Sequence, residues 1–114
     1  MSNYFLSPRA ISSLHRQKKW SIAQFGYDRT KKYFLDMNEK LQYLSDNYRK
    51  IPNRNDLTGD YGLCLYTVLK HYVVFIPLDD GIYIADILGK MQDIPNILQE
   101  NFSVFQRELM NFKK

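Results

Sequence analysis

HYVVFIPLDDGIYIADILGKMQDIPNIL, His71 to Leu98, is the stretch whose reading decides the fold. Two apolar runs, Tyr72 to Ile76 and Ile82 to Leu88, flank Leu78-Asp79-Asp80-Gly81. Val, Ile, Phe and Tyr suit a pleated, half-buried surface, and Asp-Gly permits the positive φ that a tight hairpin needs. Gly81 is expected where a side chain would clash. Pro77 offers no N–H to a ladder, so its end of the strand should be an edge or a terminus. The second strand runs out into Gly89-Lys90-Met91-Gln92-Asp93.

The rest of the chain must cover this hairpin. Asn3-Tyr4-Phe5-Leu6 reads as a short strand. Ser7 as N-cap and Pro8 at N1 then open a helix that should end at about Phe25, with Gly26 as its left-handed stop. Ile11, Leu14, Ile22 and Phe25 fall on one face near the 3.6-residue period and are the expected buried side. Lys18 interrupts that face and is expected to snorkel. Asp28 is the expected cap of a second helix running to about Asn47. Its stripe Thr30, Phe34, Met37, Leu41, Leu44, Tyr48 is the strongest helical signal in the chain. Asp36 and Lys40 make an i, i+4 pair on its outer face. Gly26 between the helices forces an antiparallel helical hairpin. Residues 49–60 read as a loop with a basic tip at Asn53-Arg54-Asn55, and Tyr61 to Leu69 as the next strand. From Asp93 or Pro95 a last helix is expected, over about 95–112. Its stripe Leu98, Phe102, Phe105, Leu109, Phe112 must pack on its own sheet or on another chain. The sum is one α+β domain spanning 1–114: β-α-α-β-β-β, a helical hairpin on a mainly antiparallel sheet, with a C-terminal helix.

Composition narrows the class. The chain has 114 residues and 45% hydrophobic content, enough for one packed core. No apolar run approaches the ~18 residues of a membrane span, and no signal peptide is expected. The lone Cys64 excludes an intramolecular disulfide and reads as a small buried hydrophobe, in keeping with a reducing cytoplasm. Charge is uneven. Residues 1–54 carry 11 Lys and Arg against 4 Asp and Glu, a balance of +7, whereas 55–114 carry 5 against 8, a balance of −3. A basic first half fits nucleic acid or an acidic protein partner, and equally a solvated helical face.

Catalytic constellations are not evident. His15 and His71 sit in different elements and read as helix-surface and strand-end residues. No Cys/His spacing suits a metal, and no Gly-rich loop suits a phosphate, so no cofactor is expected. Asp86 is unusual: a strand carboxylate must face solvent or a cation. Trp20 lies one turn beyond Arg16, opposite the apolar face. It is either an interface anchor, of the kind Trp and Arg often make, or a ring covered by the neighbouring loop.

Several short segments, taken in order, resemble a known family. LSPRA at 6–10 with Leu14 five positions after Arg9, and Phe25-Gly26, resemble the opening helix of ParE toxins. Val73-Val74-Phe75, Ile87-Leu88-Gly89 and Lys90-Met91 resemble that family's closing strands and Met-containing tail. By this resemblance the chain is identified as a member of the RelE/ParE superfamily of toxin–antitoxin toxins, on the ParE side. The resemblance implies a cytoplasmic toxin silenced by a cognate antitoxin and directed at DNA gyrase, in a homodimer or a toxin–antitoxin hetero-oligomer. The superfamily's other activity is ribosome-dependent cleavage of messenger RNA. That chemistry relies on Lys and Arg on the concave sheet face and an aromatic near the C-terminus. Here Met91 stands where Arg is expected, Ile97 where Tyr is expected, and Tyr72 in place of a strand Arg. A binding protein is therefore expected rather than a nuclease, with no catalytic residues. A non-toxic binding module on the same fold is the third alternative. The chain also departs from ParE: Tyr61 to Leu69 has no basic residue, Asp86 occupies the last strand, and Lys90 replaces a tail Arg. Arg16, Trp20, Lys90, Met91, Phe102, Phe105 and Leu109 are the candidate partner-binding residues.

Overall fold

The computed structural model describes residues 3–51, 63–89 and 92–113. Its elements are β1 (Asn3–Leu6), α1 (Pro8–Phe25), α2 (Tyr27–Asn47) with a 3-10 turn at Tyr48–Lys50, β2 (Cys64–Val68), β3 (His71–Leu78), β4 (Gly81–Gly89) and α3 (Ile94–Lys113). The sheet order is β1-β4-β3-β2, with β1 parallel to β4 and the other pairs antiparallel. The expected α+β architecture is the one observed. The basic tip at 53–55, Tyr61, and Lys90-Met91 lie outside the described residues.

The sheet is covered on both faces. The helical hairpin packs on one face through Ala10, Met37, Leu41 and Leu44, over Val73, Phe75, Ile82, Ile84 and Ile87. On the other face α3 sets Ile94, Leu98 and Phe105 over Leu65, Val74, Tyr83, Ala85 and Leu88. Two covers explain why all of Gly81 to Leu88 is buried and why the run is apolar without polar alternation. Pro77 pairs with Ile82 close to the end of β3, beyond Phe75, the last β3 residue to pair with β2. On the β2 side Pro77 therefore meets no ladder partner among the described residues, as its missing N–H requires.

Three local expectations are corrected. The hairpin turn is Asp79-Asp80, and Gly81 already pairs with Leu78. Gly81 is required for a different reason: a Cβ there would lie 1.8 Å from the Asn3 carbonyl oxygen of β1. Only glycine lets β1 come this close. Gly81→Ala is expected to pull β1 away and to lose about 2–3 kcal/mol, the upper part of the overpacking range, measurable by urea unfolding. An unchanged midpoint would show that β1 can shift without loss.

Asp28 does not cap α2. Gly26, at φ +88°, holds the N-cap position with no side-chain bond, and its own N–H bonds the Ile22 carbonyl at 2.9 Å to close α1. Nothing lies near its absent Cβ, so the requirement for glycine is torsional. The α2 stripe is observed, with Thr30, Met37, Leu41 and Leu44 buried and Phe34 and Tyr48 half-buried. Asp36 and Lys40 are both exposed on its outer face.

The buried face of α1 is not the apolar one. Ile11, Ile22 and Phe25 are exposed and Leu14 half-buried, while Ala10 and Ser13 are buried and Gln17 and Ser21 half-buried. The Ala10-Ser13-Gln17-Ser21 stripe has helical spacing but polar chemistry. Its purpose lies in the sheet edge it meets.

Candidate functional site

β1 pairs with Gly81 to Ile84, so among the described residues the remainder of β4 has no strand beside it on that side. Its outward backbone groups still need partners. They find side chains. The Ser7 hydroxyl donates to the Ala85 carbonyl at 2.7 Å, and Gln17 Nε2 donates to the Ile87 carbonyl at 2.9 Å. Ile87 N–H donates to Asp86 Oδ1 at 2.8 Å, and Gly89 N–H to Gln92 Oε1 at 2.7 Å. The polar stripe of α1 thus stands in for a missing strand.

A β-bulge makes this possible. Phe75 pairs with Ile84 and Val74 with Asp86, leaving Ala85 as the extra residue. The bulge brings Asp86 to α1, where it is 1% exposed. Its Oδ1 also accepts from the Ser13 hydroxyl at 2.6 Å, and Oδ2 accepts from Arg9 Nε at 2.9 Å. The strand carboxylate therefore faces a cation, one of the two settings expected for it. Ser7 also caps α1, accepting from Ala10 N–H at 3.0 Å. Arg9 reaches α3 as well: its backbone N–H donates to Glu108 Oε1 at 3.2 Å, and its guanidinium lies 5.9 Å from the centre of the Phe105 ring. A carboxylate at the first turn of α1 matches the positive end of the helix dipole. Burial first, then the nearby Glu108 carboxylate, pushes the Tyr83 phenol up.

Below this network opens a cleft of about 890 Å³, bounded by α1, α2, the C-terminal part of β4 and the start of α3. Its outer wall carries Arg16, Trp20, Phe25 and Arg29. Trp20 is 60% exposed and packs edge-on to Phe25 at 5.8 Å; Arg29 lies 5.3 Å over the Phe25 ring. Arg16 Nη2 donates to Ser13 Oγ at 3.2 Å. The floor is apolar, with Ile87, Leu88 and Ile97. At the far end the Tyr33 hydroxyl is 2.8 Å from His71 Nδ1 and accepts from Lys70 N–H at 3.2 Å. Burial pushes the Tyr33 phenol up, and the Lys70 bond partly offsets this. Among the described residues, Arg9, Arg16, Arg29 and Lys70 give the lining four cations against one carboxylate, Asp86. A second, smaller groove of about 390 Å³ lies between the helices beside β1. Lys18 sits at that groove and places its ammonium 5.4 Å over the Phe34 ring, the expected snorkel.

The candidate residues separate into three groups. Arg16 and Trp20 share the cleft and are exposed. Phe105 is buried beneath α3, with Phe102 and Leu109 half-buried beside it, all turned to the chain's own sheet rather than to a free surface. Lys90 and Met91 lie outside the described residues. Sequence reasoning missed Phe25, Arg29, Tyr33 and Lys70 as cleft residues, because the hairpin's crossing brings them together from distant positions. Cys64 is half-buried rather than fully so, and burial pushes its thiol up. His15 is exposed, and His71 opens β3. Among the described residues, no group of three His, Cys, Asp or Glu could hold a metal, and no helix is long and apolar enough to cross a membrane.

With this geometry in view, the chain can be set beside known proteins. No family model and no curated sequence matches it. Among solved structures it is similar to a chain of the chromosomal ParDE TA system from P. aeruginosa, with a TM-score of 0.67 and 16% sequence identity. The match covers 78% of this chain and 96% of that one. The two share a fold.

Proposed function

We propose that this chain is the toxin half of a cytoplasmic toxin–antitoxin pair, built like ParE. In this reading it acts by binding DNA gyrase, without catalysis, and is silenced by a cognate antitoxin. The observation that carries the reading is the fold shared with a chain of a ParDE toxin–antitoxin system. The filled sheet face supports binding over nucleolysis. By the resemblance, a messenger-RNA nuclease of this fold would need open cations on one sheet face, and here the helical hairpin covers one face and α3 lays Leu98 and Phe105 across the other. The same occupied face favours one further reading, a toxin-fold binding module without toxicity.

Inducing the chain alone in bacteria separates these readings. Growth arrest with DNA breaks and intact transcripts is expected, relieved by co-expressing the small protein encoded next to it. Ribosome-dependent transcript cleavage that is lost on Lys90→Ala would replace the gyrase reading with the nuclease one. Unchanged growth would leave the non-toxic module. A double substitution, Lys90→Ala with Met91→Ala, is expected to abolish toxicity and leave a cooperative melting transition in place, because the resemblance gives these two residues a role in toxicity rather than in folding. Unfolding of the double variant would make this tail structural.

A further inference from the structure

The cleft beside α1 combines features that the fold does not need. Trp20 and Phe25 are large apolar side chains left in water, at 60% and 49% exposure. They stand beside Arg16 and Arg29, both exposed, above an apolar floor of Ile87, Leu88 and Ile97. Aromatic and Arg side chains gathered at one concave place are the composition of binding hot spots. A cleft of about 890 Å³ is large enough for several side chains of a partner.

Charge decides what fits. Among the described residues the lining has four cations and one carboxylate, and that carboxylate is 1% exposed and satisfied by Arg9, Ser13 and the Ile87 N–H. The cleft therefore presents positive potential at its rim. A second copy paired two-fold through this same face is a poor occupant, because residues 1–54, which supply the outer wall, carry a balance of +7 and would face their like. A nucleic-acid backbone is also a poor occupant. It asks for a continuous row of cations, whereas Arg9 is turned inward to Asp86 and the floor between the rim cations is apolar. The edge of β4 beneath is already capped by Ser7, Gln17 and Asp86, so an incoming strand would find no backbone partners there. What remains is recognition by side chains: carboxylates at the rim and a large apolar residue on the floor.

We infer that this cleft is the docking site for an acidic peptide segment of a protein partner, one that carries a Leu or Phe anchor between its carboxylates. The inference rests on the reading of this chain as a binding protein. Trp20 is the one tryptophan in the sequence, so its fluorescence reports the cleft directly.

The test uses the full chain and a short synthetic peptide in which Glu alternates with Leu and Phe. Two probes serve as comparisons: the same peptide with Gln in place of Glu, and oligouridylate. The acidic peptide is expected to shift Trp20 emission to the blue and to saturate. The Gln peptide and oligouridylate should bind at least about tenfold more weakly. Arg16→Glu with Arg29→Glu, followed by anisotropy of a labelled peptide, should weaken binding by about tenfold or more at an unchanged melting temperature. Equal binding of the Gln peptide would overturn the inference in favour of a purely apolar site. Tighter binding of oligouridylate would overturn it in favour of a nucleic-acid site. No emission shift with any probe would overturn it outright. Toxicity is scored separately. A toxic chain with a silent Trp20 refutes the cleft alone, and a harmless chain that binds the peptide refutes the toxin reading alone.

Discussion

Asp86→Ala is expected to destabilise the protein by about 3 kcal/mol, at the lower end of the range for removing one partner of a buried ion pair. The lower end applies because Arg9 is 31% exposed and can recover some hydration, whereas Asp86 is 1% exposed. Three donors lose their acceptor together: Arg9 Nε, the Ser13 hydroxyl and the Ile87 N–H. The last is a strand-edge group with no neighbouring strand among the described residues. Losses of this size matter in a domain whose total stability is of the order of 5–15 kcal/mol. Arg9→Ala should cost at least as much, because it leaves the 1% exposed Asp86 carboxylate without its cation, with only the Ser13 hydroxyl and the Ile87 N–H still donating to it. Urea unfolding of the two variants checks the order. If Asp86→Ala loses under about 1 kcal/mol, the network is incidental to the fold.

Phe105→Ala is expected to cost about 3–5 kcal/mol if α3 is an integral part of the fold, as for a fully buried aromatic. Phe105 is 1% exposed, sits between α3 and the sheet, and has the Arg9 guanidinium at its ring. Further along, Phe112 packs against Phe5 and Tyr83, with ring centroids 5.1 and 4.9 Å apart. A different outcome follows if α3 is a detachable occupant of this face, held in place until an antitoxin's amphipathic segment replaces it. The loss then cannot exceed the free energy of docking α3, and the sheet and hairpin keep their cooperative transition. A chain ending at Leu98 separates the two. Retained cooperative melting together with tighter antitoxin binding supports a detachable α3. Aggregation, or a broad transition, makes α3 part of the core.

Much of this architecture was legible because hydrophobic period and fold agree. The α2 stripe from Thr30 to Tyr48 faces the core, and the two runs flanking Asp79-Asp80 are β3 and β4. The α1 face was misread for a definite physical reason. Periodicity locates apolar residues on a helix, but α1 abuts an open strand edge, whose need is hydrogen bonding. Ser7, Ser13 and Gln17 supply it, and Ile11 and Ile22 are left exposed. One signal was available: an Asp in an otherwise apolar strand requires partners, and a Ser-x3-Gln pair on a helix can provide them. Arg16 and Trp20 were found from their mutual spacing. Arg29 and Lys70 were not, since only the folded hairpin and the β2–β3 turn bring them to the same cleft.

The parallel pairing of β1 with β4 orders the assembly of the chain in time. Asn3 to Leu6 leave the ribosome well before their ladder partners Gly81 to Ile84, which follow nearly eighty residues later. Closing so long a loop is slow compared with forming the helical hairpin or the β3–β4 hairpin, whose contacts are local. During synthesis the N-terminal strand must therefore wait unpaired while α1 and α2 form behind it. Pulse-labelled hydrogen exchange should find the amides of β1 protected after those of β3 and β4. The first strand of the fold to be made is thus the last to be enclosed, and β1 and the end of α3 are locked together only when Phe112 reaches Phe5.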